Sequence, residues 1–517
     1  MGMQHDVLND PLVTAAFGDG AMECLSLPQV FAALSAGREI TFTALQPHQR
    51  HPWHAFMVQL AAMALMRSGR DQLVHEEGDW RSLLSSLTDD APEPWCLVVE
   101  DLERPAFMQP PVPEGTADVL KNRIETPDEL DMLVTTRNFD VKKQRIVCPR
   151  LEHWMLALVC KQTFEGYSGR DNYGIFRMNG GQASRPCVAA APSPGWSARF
   201  RRDVAIWLEQ HDALVEAYGY DRDGAGLLWT LPWDGSSSLF PHELHPFFIE
   251  VCRRIRLRED ASGLHAVAGT SSKPRIEPSD RSGDTGDIWT PLRASSKKDG
   301  MASLTVASGG FNYRKLHDLL FGDWIPPPAL ELRSSDGEAP VIVACALVRG
   351  QGKTEGYHER IIAIPAVARR FFSKRSEEGR LASRSKQQLE RCATGSSAVL
   401  KPALCSLFQG VRADKLDFRD KRVNPWMDRL EARIDDRFFT ELFHSAAQSA
   451  DEARQRWDAV LVELLTATFE EALEQVSMPT VHRYAIRAGA EARFRGALRK
   501  NFPEGGPTAP PVEKTHV

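Results

Sequence analysis

The sequence predicts an α+β protein, with a large mixed α/β N-terminal domain followed by a C-terminal four-helix bundle. Three observations lead there. The chain has 517 residues, more than one hydrophobic core ordinarily serves. Between residues 100 and 360, short apolar runs alternate with Pro- and Gly-rich turns. After Pro365 glycine thins out. Apolar residues then recur at three- and four-residue spacing, as in Trp457, Val460, Leu461, Leu464, Leu465, Phe469 and Leu473. The expected boundaries are 1–362 for the mixed domain, 363–501 for the bundle and 502–517 for a disordered, Pro- and Gly-rich tail.

The elements follow in order. Residues 55–66 (AFMVQLAAMALM) read as a helix among the short apolar runs of the first hundred residues. A second apolar run at 154–159 opens onto residues 164–181, where five glycines are mixed with Arg, Asn, Ser and Tyr. Glycine lets backbone approach a ligand closely, and consecutive free N–H groups suit phosphates or base edges. The aromatic residues argue for a defined shape rather than a flexible linker, and a structured loop without a ligand stays open. Residues 267–300, rich in Ser, Gly, Asp and Lys, read as long loops. Residues 341–348 (VIVACALV) read as a buried strand.

Hydrophobic residues at 42% and charged residues at 26% describe an ordinary soluble chain. The net charge of −6 argues against a nucleic-acid binder acting alone, though not against one subunit of an assembly whose partners are basic. The sequence contains no apolar run of membrane-spanning length and no basic, apolar leader at its start, which predicts a cytoplasmic protein without membrane contact. Nine cysteines, with no Cys-x-x-Cys pair, read as reduced thiols rather than a disulfide frame or zinc site. No cofactor or metal is expected. His242-Glu243-Leu244-His245 lacks the spacing of a zinc helix, and no Ser sits in a G-x-S-x-G elbow, so no catalytic set emerges. The histidines of His51-Pro52-Trp53-His54 read as packing or capping groups.

The loop at 164–181 resembles that of the CasA family, the large subunit of the type I-E CRISPR surveillance complex Cascade. Further segments resemble the family in the same order: RPAFMQ at 104–109, LVTTRNFD at 133–140, LPWDG at 231–235 with HPFF at 245–248, and the helical C-terminal third. The resemblance implies a non-enzymatic subunit that recognises the protospacer-adjacent motif in double-stranded DNA. It also implies that the subunit starts duplex unwinding for R-loop formation and helps recruit a helicase-nuclease. The implied partners are CRISPR RNA, target double-stranded DNA, and the backbone, small and 5′-handle-binding subunits of Cascade.

The resemblance also assigns residues. Gly169, Arg170 and Asn172 fall in the loop that faces the minor groove of the adjacent motif, where readout is degenerate. Lys273 matches a second minor-groove element, with Arg275 as its alternative and Lys297-Lys298 open. Gly350, Gln351 and Gly352 match a hairpin wedge placed beneath the last base pair of the motif. Arg137, Asn138, Phe139, Lys142 and Lys143 match a loop docked on the 5′ end of the guide RNA, where one aromatic and several cations suit an RNA end. Charge alone adds a fourth region. Residues 361–422 hold fourteen Lys and Arg against six Asp and Glu, which points to a nucleic-acid backbone at Arg369, Arg370, Lys374 and Arg375. Two other readings remain. One is a phosphate-loop hydrolase at 341–354, although Leu347 stands where that motif needs its first glycine. The other is a structural scaffold that never touches DNA.

Overall fold

The computed structural model describes residues 2–133, 146–261, 263–278, 281–295, 300–350, 353–372, 379–410, 415–477 and 480–503. The chain forms two compact units. The first is Met1–Phe311 with Trp324–Ala363, and the second is Asn312–Asp323 with the chain from Ile364 onward.

The first unit is built around the helix Arg50–Arg67, which is buried at every position from His51 to Leu65. It begins five residues before the apolar run, because Pro52 in the first turn gives up an N–H that has no helical partner there. The helices Leu151–Phe164 and Trp196–Tyr218 and the strand Leu244–Ile249 pack around it. His54 Nε2 meets Asp203 at 2.8 Å, and Trp289 donates to the same carboxylate at 2.9 Å. His54 is therefore a core histidine anchored through one ring nitrogen.

Six small sheets surround these helices among the described residues. One positions the candidate site: Lys353–Ala363, Val341–Gly350 and Cys187–Ala191, in that order and antiparallel. Val341–Gly350 is the central strand and is buried from Val341 to Val348, which explains its unbroken apolar sequence. With Lys353–Ala363 it makes a long hairpin whose register slips between Val348 and Arg349. The described residues of the 267–300 stretch are mainly loop, but the first of them complete the strand Gly263–Gly269 and Leu292–Ala294 form another.

The second unit holds four long helices among its described residues. The first runs as Arg380–Thr394, a π-helical turn Gly395–Leu400 and Lys401–Gln409. The others are Asn424–His444, Ala450–Gln475 and Arg483–Asn501. Pro402 lacks the N–H that an α-helical ladder would use, and the widened turn lies directly before it. Leu430, Ile434, Phe438, Trp457, Leu461 and Leu465 form part of the core. Arg391 grips Asp458 with two bonds of 2.6 and 2.9 Å and also donates to the Asn501 carbonyl.

The sequence does not signal that Tyr313–Phe321 is a helix of this unit. Its cap is Asn312, and Tyr313 Oη donates to Glu431 at 2.7 Å, more than a hundred residues along the chain. Nine residues carry too little periodicity to reveal such a partner.

Phe469 and Phe494 stack with centroids 4.3 Å apart between two bundle helices. Phe469→Ala should destabilise the chain by about 3–5 kcal/mol, the cost of emptying a close-packed aromatic site. Urea unfolding followed by circular dichroism measures it, and a shift under about 1 kcal/mol would mean the bundle closes over the gap.

Candidate nucleic-acid interface

The site begins where the helix Leu151–Phe164 ends. Glu165 leaves the helix with an extended backbone and a fully buried side chain. Lys161, one turn earlier, donates to Oε1 at 2.9 Å, and Arg349 donates to the same oxygen at 3.0 Å. Arg253 Nε donates to Oε2 at 2.9 Å, while its other arm reaches the Gly166 carbonyl. Burial by itself would raise the Glu165 pKa. The charges of Lys161, Arg253 and Arg349 overcome it and hold the group at about 2.

Backbone bonds extend this cluster to the neighbouring chain segments. The Ile175 N–H donates to the Glu165 carbonyl, and Glu165 bridges Ser184. Ser184 Oγ in turn donates to the Leu347 carbonyl at 2.9 Å and accepts from Leu347 N–H at 3.0 Å. Both ends of the glycine loop are thus tied to the hairpin strand Val341–Gly350.

The loop itself is narrow. Tyr167 N–H donates to Gly181, Ser168 N–H to Asn172, and Asn172 N–H to Gly169. Its two legs approach so closely that a Cβ on Gly174 would stand 2.6 Å from the Gly166 carbonyl carbon. At the tip, Gly169 has φ +110°, a conformation that strains any residue with a side chain, while the space around it is open. Arg170 follows with its side chain 94% exposed, 3.6 Å from the Asp171 carboxylate. The Asn172 side chain is turned inward and donates to the Arg170 carbonyl, so it shapes the tip.

The loop carrying Lys273 lies alongside. Ser271 N–H donates to the Asp171 carbonyl at 3.0 Å, and Tyr173 Oη donates to the Ser272 carbonyl at 3.1 Å. Ser272 and Lys273 N–H groups both donate to the Gly235 carbonyl. Lys273 is exposed. Arg275, the alternative, is not available to a ligand. It is 5% exposed, donates to the carbonyls of Leu228, Leu231 and Pro232, and lies 5.3 Å from the Trp233 ring. Burial lowers its pKa to about 10, which still leaves it charged at neutral pH. It braces the 228–235 turn that supports Lys273.

Gly350 pairs with Lys353 at the end of the hairpin. Gln351 and Gly352 lie outside the described residues, as do Lys297, Lys298, Arg137, Asn138, Phe139, Lys142 and Lys143. A phosphate loop requires a helix after its glycine turn. Here the strand Lys353–Ala363 follows instead, so the hydrolase reading of 341–354 fails on topology.

In the second unit, Arg369 and Arg370 lie on the short helix Ala366–Phe372, and Lys374 and Arg375 lie outside the described residues. Arg370 is exposed, with its guanidinium 4.7 Å from the Phe371 ring centre. Part of the basic excess counted from sequence is used internally: Arg384 caps the Ser445 and Gln448 carbonyls, Arg391 holds Asp458, and Arg422 pairs with Asp420.

Sequence reasoning misses the cluster under the loop. Lys161 and Glu165 show a helical i, i+4 spacing, but Arg253 and Arg349 are 88 and 184 residues away from Glu165. Nothing local marks them.

No protein-family model matches the chain, and no curated sequence does. Solved structures match nearly end to end. The CRISPR-associated protein Cse1 from Acidimicrobium ferrooxidans aligns with TM-score 0.66 and 14% identity, over 98% of this chain and 100% of that one. CasA (Cse1) of Thermus thermophilus gives TM-score 0.64 and 13% identity, over 96% and 100%. Thermobifida fusca Cse1 gives 0.63 and 13%, over 97% and 98%. The chain has the Cse1/CasA fold.

Glu165→Gln removes one charge and leaves three cations facing a neutral amide. The expected loss is about 3–5 kcal/mol at neutral pH. Because the folded carboxyl titrates below its ordinary value of 4.5, its contribution is complete above pH 4.5. It fades as pH falls toward about 2. Urea melts of parent and variant should therefore converge across that interval. A gap that stays constant would remove Glu165 from the acid response.

Proposed function

We propose that this chain is the large subunit of a type I-E Cascade, recognising the protospacer-adjacent motif in double-stranded DNA and starting R-loop formation. The observation that carries this reading is the pair of bonds from Ser271 N–H to Asp171 and from Tyr173 Oη to Ser272. They hold two exposed cations, Arg170 and Lys273, on adjoining loops. The Cse1/CasA fold along almost the whole chain supports the same reading.

In this proposal Arg170 and Lys273 enter the minor groove or meet its phosphates. The few distinguishing groups there make the subunit tolerant of several motif sequences. Gln351, which follows Gly350 in the sequence, slides its flat amide beneath the last motif base pair. Residues 135–143 dock on the guide RNA, and Arg369, Arg370, Lys374 and Arg375 track the DNA backbone. A separate helicase-nuclease then joins the opened complex. The subunit itself performs no chemistry in this scheme.

Gly169→Ala should weaken binding of motif-bearing DNA by about fivefold, the equivalent of about 1 kcal/mol of backbone strain. Gly169→Asp should cost more, because it adds repulsion from phosphate. Complex assembly and guide-RNA content should stay unchanged. Gel shifts of the assembled complex test this, and parental affinity in both variants would favour a scaffold that never touches DNA. In the same complex, Gln351→Ala should slow opening of a matched duplex yet spare targets whose first base pairs are already unpaired.

Reversing Arg369, Arg370, Lys374 and Arg375 to Glu should weaken binding on every sequence. The log–log salt slope should fall by roughly 0.7–0.9 for each phosphate left without its cation. An unchanged slope would make these charges a solvated face.

A further inference from the structure

The nine cysteines are dispersed in sequence, but the fold sets two of them opposite each other. Cys345 on the central strand faces Cys187 on the neighbouring strand as its direct cross-strand partner. His51, in the first turn of the buried helix, comes to the same point. One ligand atom from each of the three lies within 4.8 Å of the others. All three residues are buried, at 3% exposure for His51, 0% for Cys187 and 2% for Cys345.

His51 is the unusual member. Neither of its ring nitrogens has a hydrogen-bond partner. An unpaired imidazole nitrogen in the core carries a desolvation cost that packing alone does not offset. Phe164 and Trp289 stand edge-on to the ring at 5.1 and 5.4 Å and fix its plane. A cavity of about 10 Å³ lies beside it, lined by Phe164, Cys345, Leu347 and Tyr357, and it has room for about one small atom. Burial, followed by the nearby Arg185, His54 and Arg199, holds His51 well below its usual value, so its ring is neutral and its lone pair free.

We propose that His51, Cys187 and Cys345 form a buried binding site for a zinc-class divalent cation. The donors suit zinc, with one imidazole nitrogen and two sulfurs. Bonds of about 2.0 Å to nitrogen and about 2.3 Å to sulfur require only a small inward movement of each ligand. Charge suits it too. Binding M²⁺ releases both thiol protons to solvent, and two thiolates with a neutral imidazole make the buried group neutral overall. The fourth position is left to a water or the Tyr357 hydroxyl. Such an ion would join the helix Arg50–Arg67, the strand after the glycine loop and the strand of the hairpin.

The test uses the full chain, purified under reducing conditions without an affinity tag that binds metal. Elemental analysis after dialysis should give about one zinc per chain. Cobalt replacing it should show a thiolate-to-cobalt charge-transfer band. X-ray absorption should report two sulfurs and one imidazole nitrogen in the first shell. Cys187→Ala with Cys345→Ala should abolish both the metal and the cobalt band, and a strong chelator should lower the melting temperature of the parent only. A metal-free parent that also gives no cobalt band overturns the proposal, as does equal zinc content in the double variant. A Cys187–Cys345 disulfide in protein kept reduced throughout overturns it as well. The absorption measurement needs only the parent chain, so misfolding of the variant leaves the test intact.

Discussion

The buried carboxylate of Glu165 is the constraint on which the candidate interface depends. Three cations converge on it, one from the preceding turn of its own helix and two from distant segments, and each would be costly to bury alone. The helix end, the start of the 254–260 strand and the end of the hairpin strand must therefore meet at one point. Residues only a few positions away from this cluster, at the loop tip and the end of the hairpin strand, inherit their location from it. Exposed side chains become a defined surface because the charges beneath them have one mutually compensating arrangement.

A related device recurs around the first unit. Arg256 is completely buried and commits its guanidinium to the carbonyls of Val99, Asp101, Arg104 and Gln109. Gln109 answers by donating to Leu97 and Phe107 and accepting from Leu257. The RPAFMQ segment is therefore a clamp of saturated backbone groups, and the LPWDG turn plays the same part over Arg275. Motifs that look functional in a sequence here supply scaffolding. They hold irregular chain, which has no ladder of its own, by capping its carbonyls with arginine.

How much of this is legible in the sequence follows from range. The apolar helix, the strand at 341–348 and the bundle helices announce themselves through local periodicity, because their burial repeats every two to four residues. Arg275 deceives, since a cation in a Ser- and Gly-rich stretch looks solvated and only tertiary packing shows its burial. Glu165 escapes notice for the same reason, with partners 88 and 184 residues away. The helix Tyr313–Phe321 is invisible because its docking residues lie elsewhere in the chain. Arg170 and Lys273 can be picked out singly, but their adjacency rests on two bonds that no pattern encodes.

The π-helical turn Gly395–Leu400 has a consequence for how one long helix serves two neighbourhoods. An α-helix advances about 100° per residue, so a residue inserted into its ladder rotates everything downstream by that angle. The stripe that faces inward before the turn is therefore not the stripe that faces inward after it. Arg380–Thr394 packs on Asn424–His444 and Ala450–Gln475, whereas Lys401–Gln409 turns toward Arg483–Asn501. The defect works as a vernier: one helix addresses partners on different sides without a break in its axis. Restoring plain α-helical phase by deleting a single residue there would turn the buried face of Lys401–Gln409, with Leu404 and Leu407, by about 100° from its present direction.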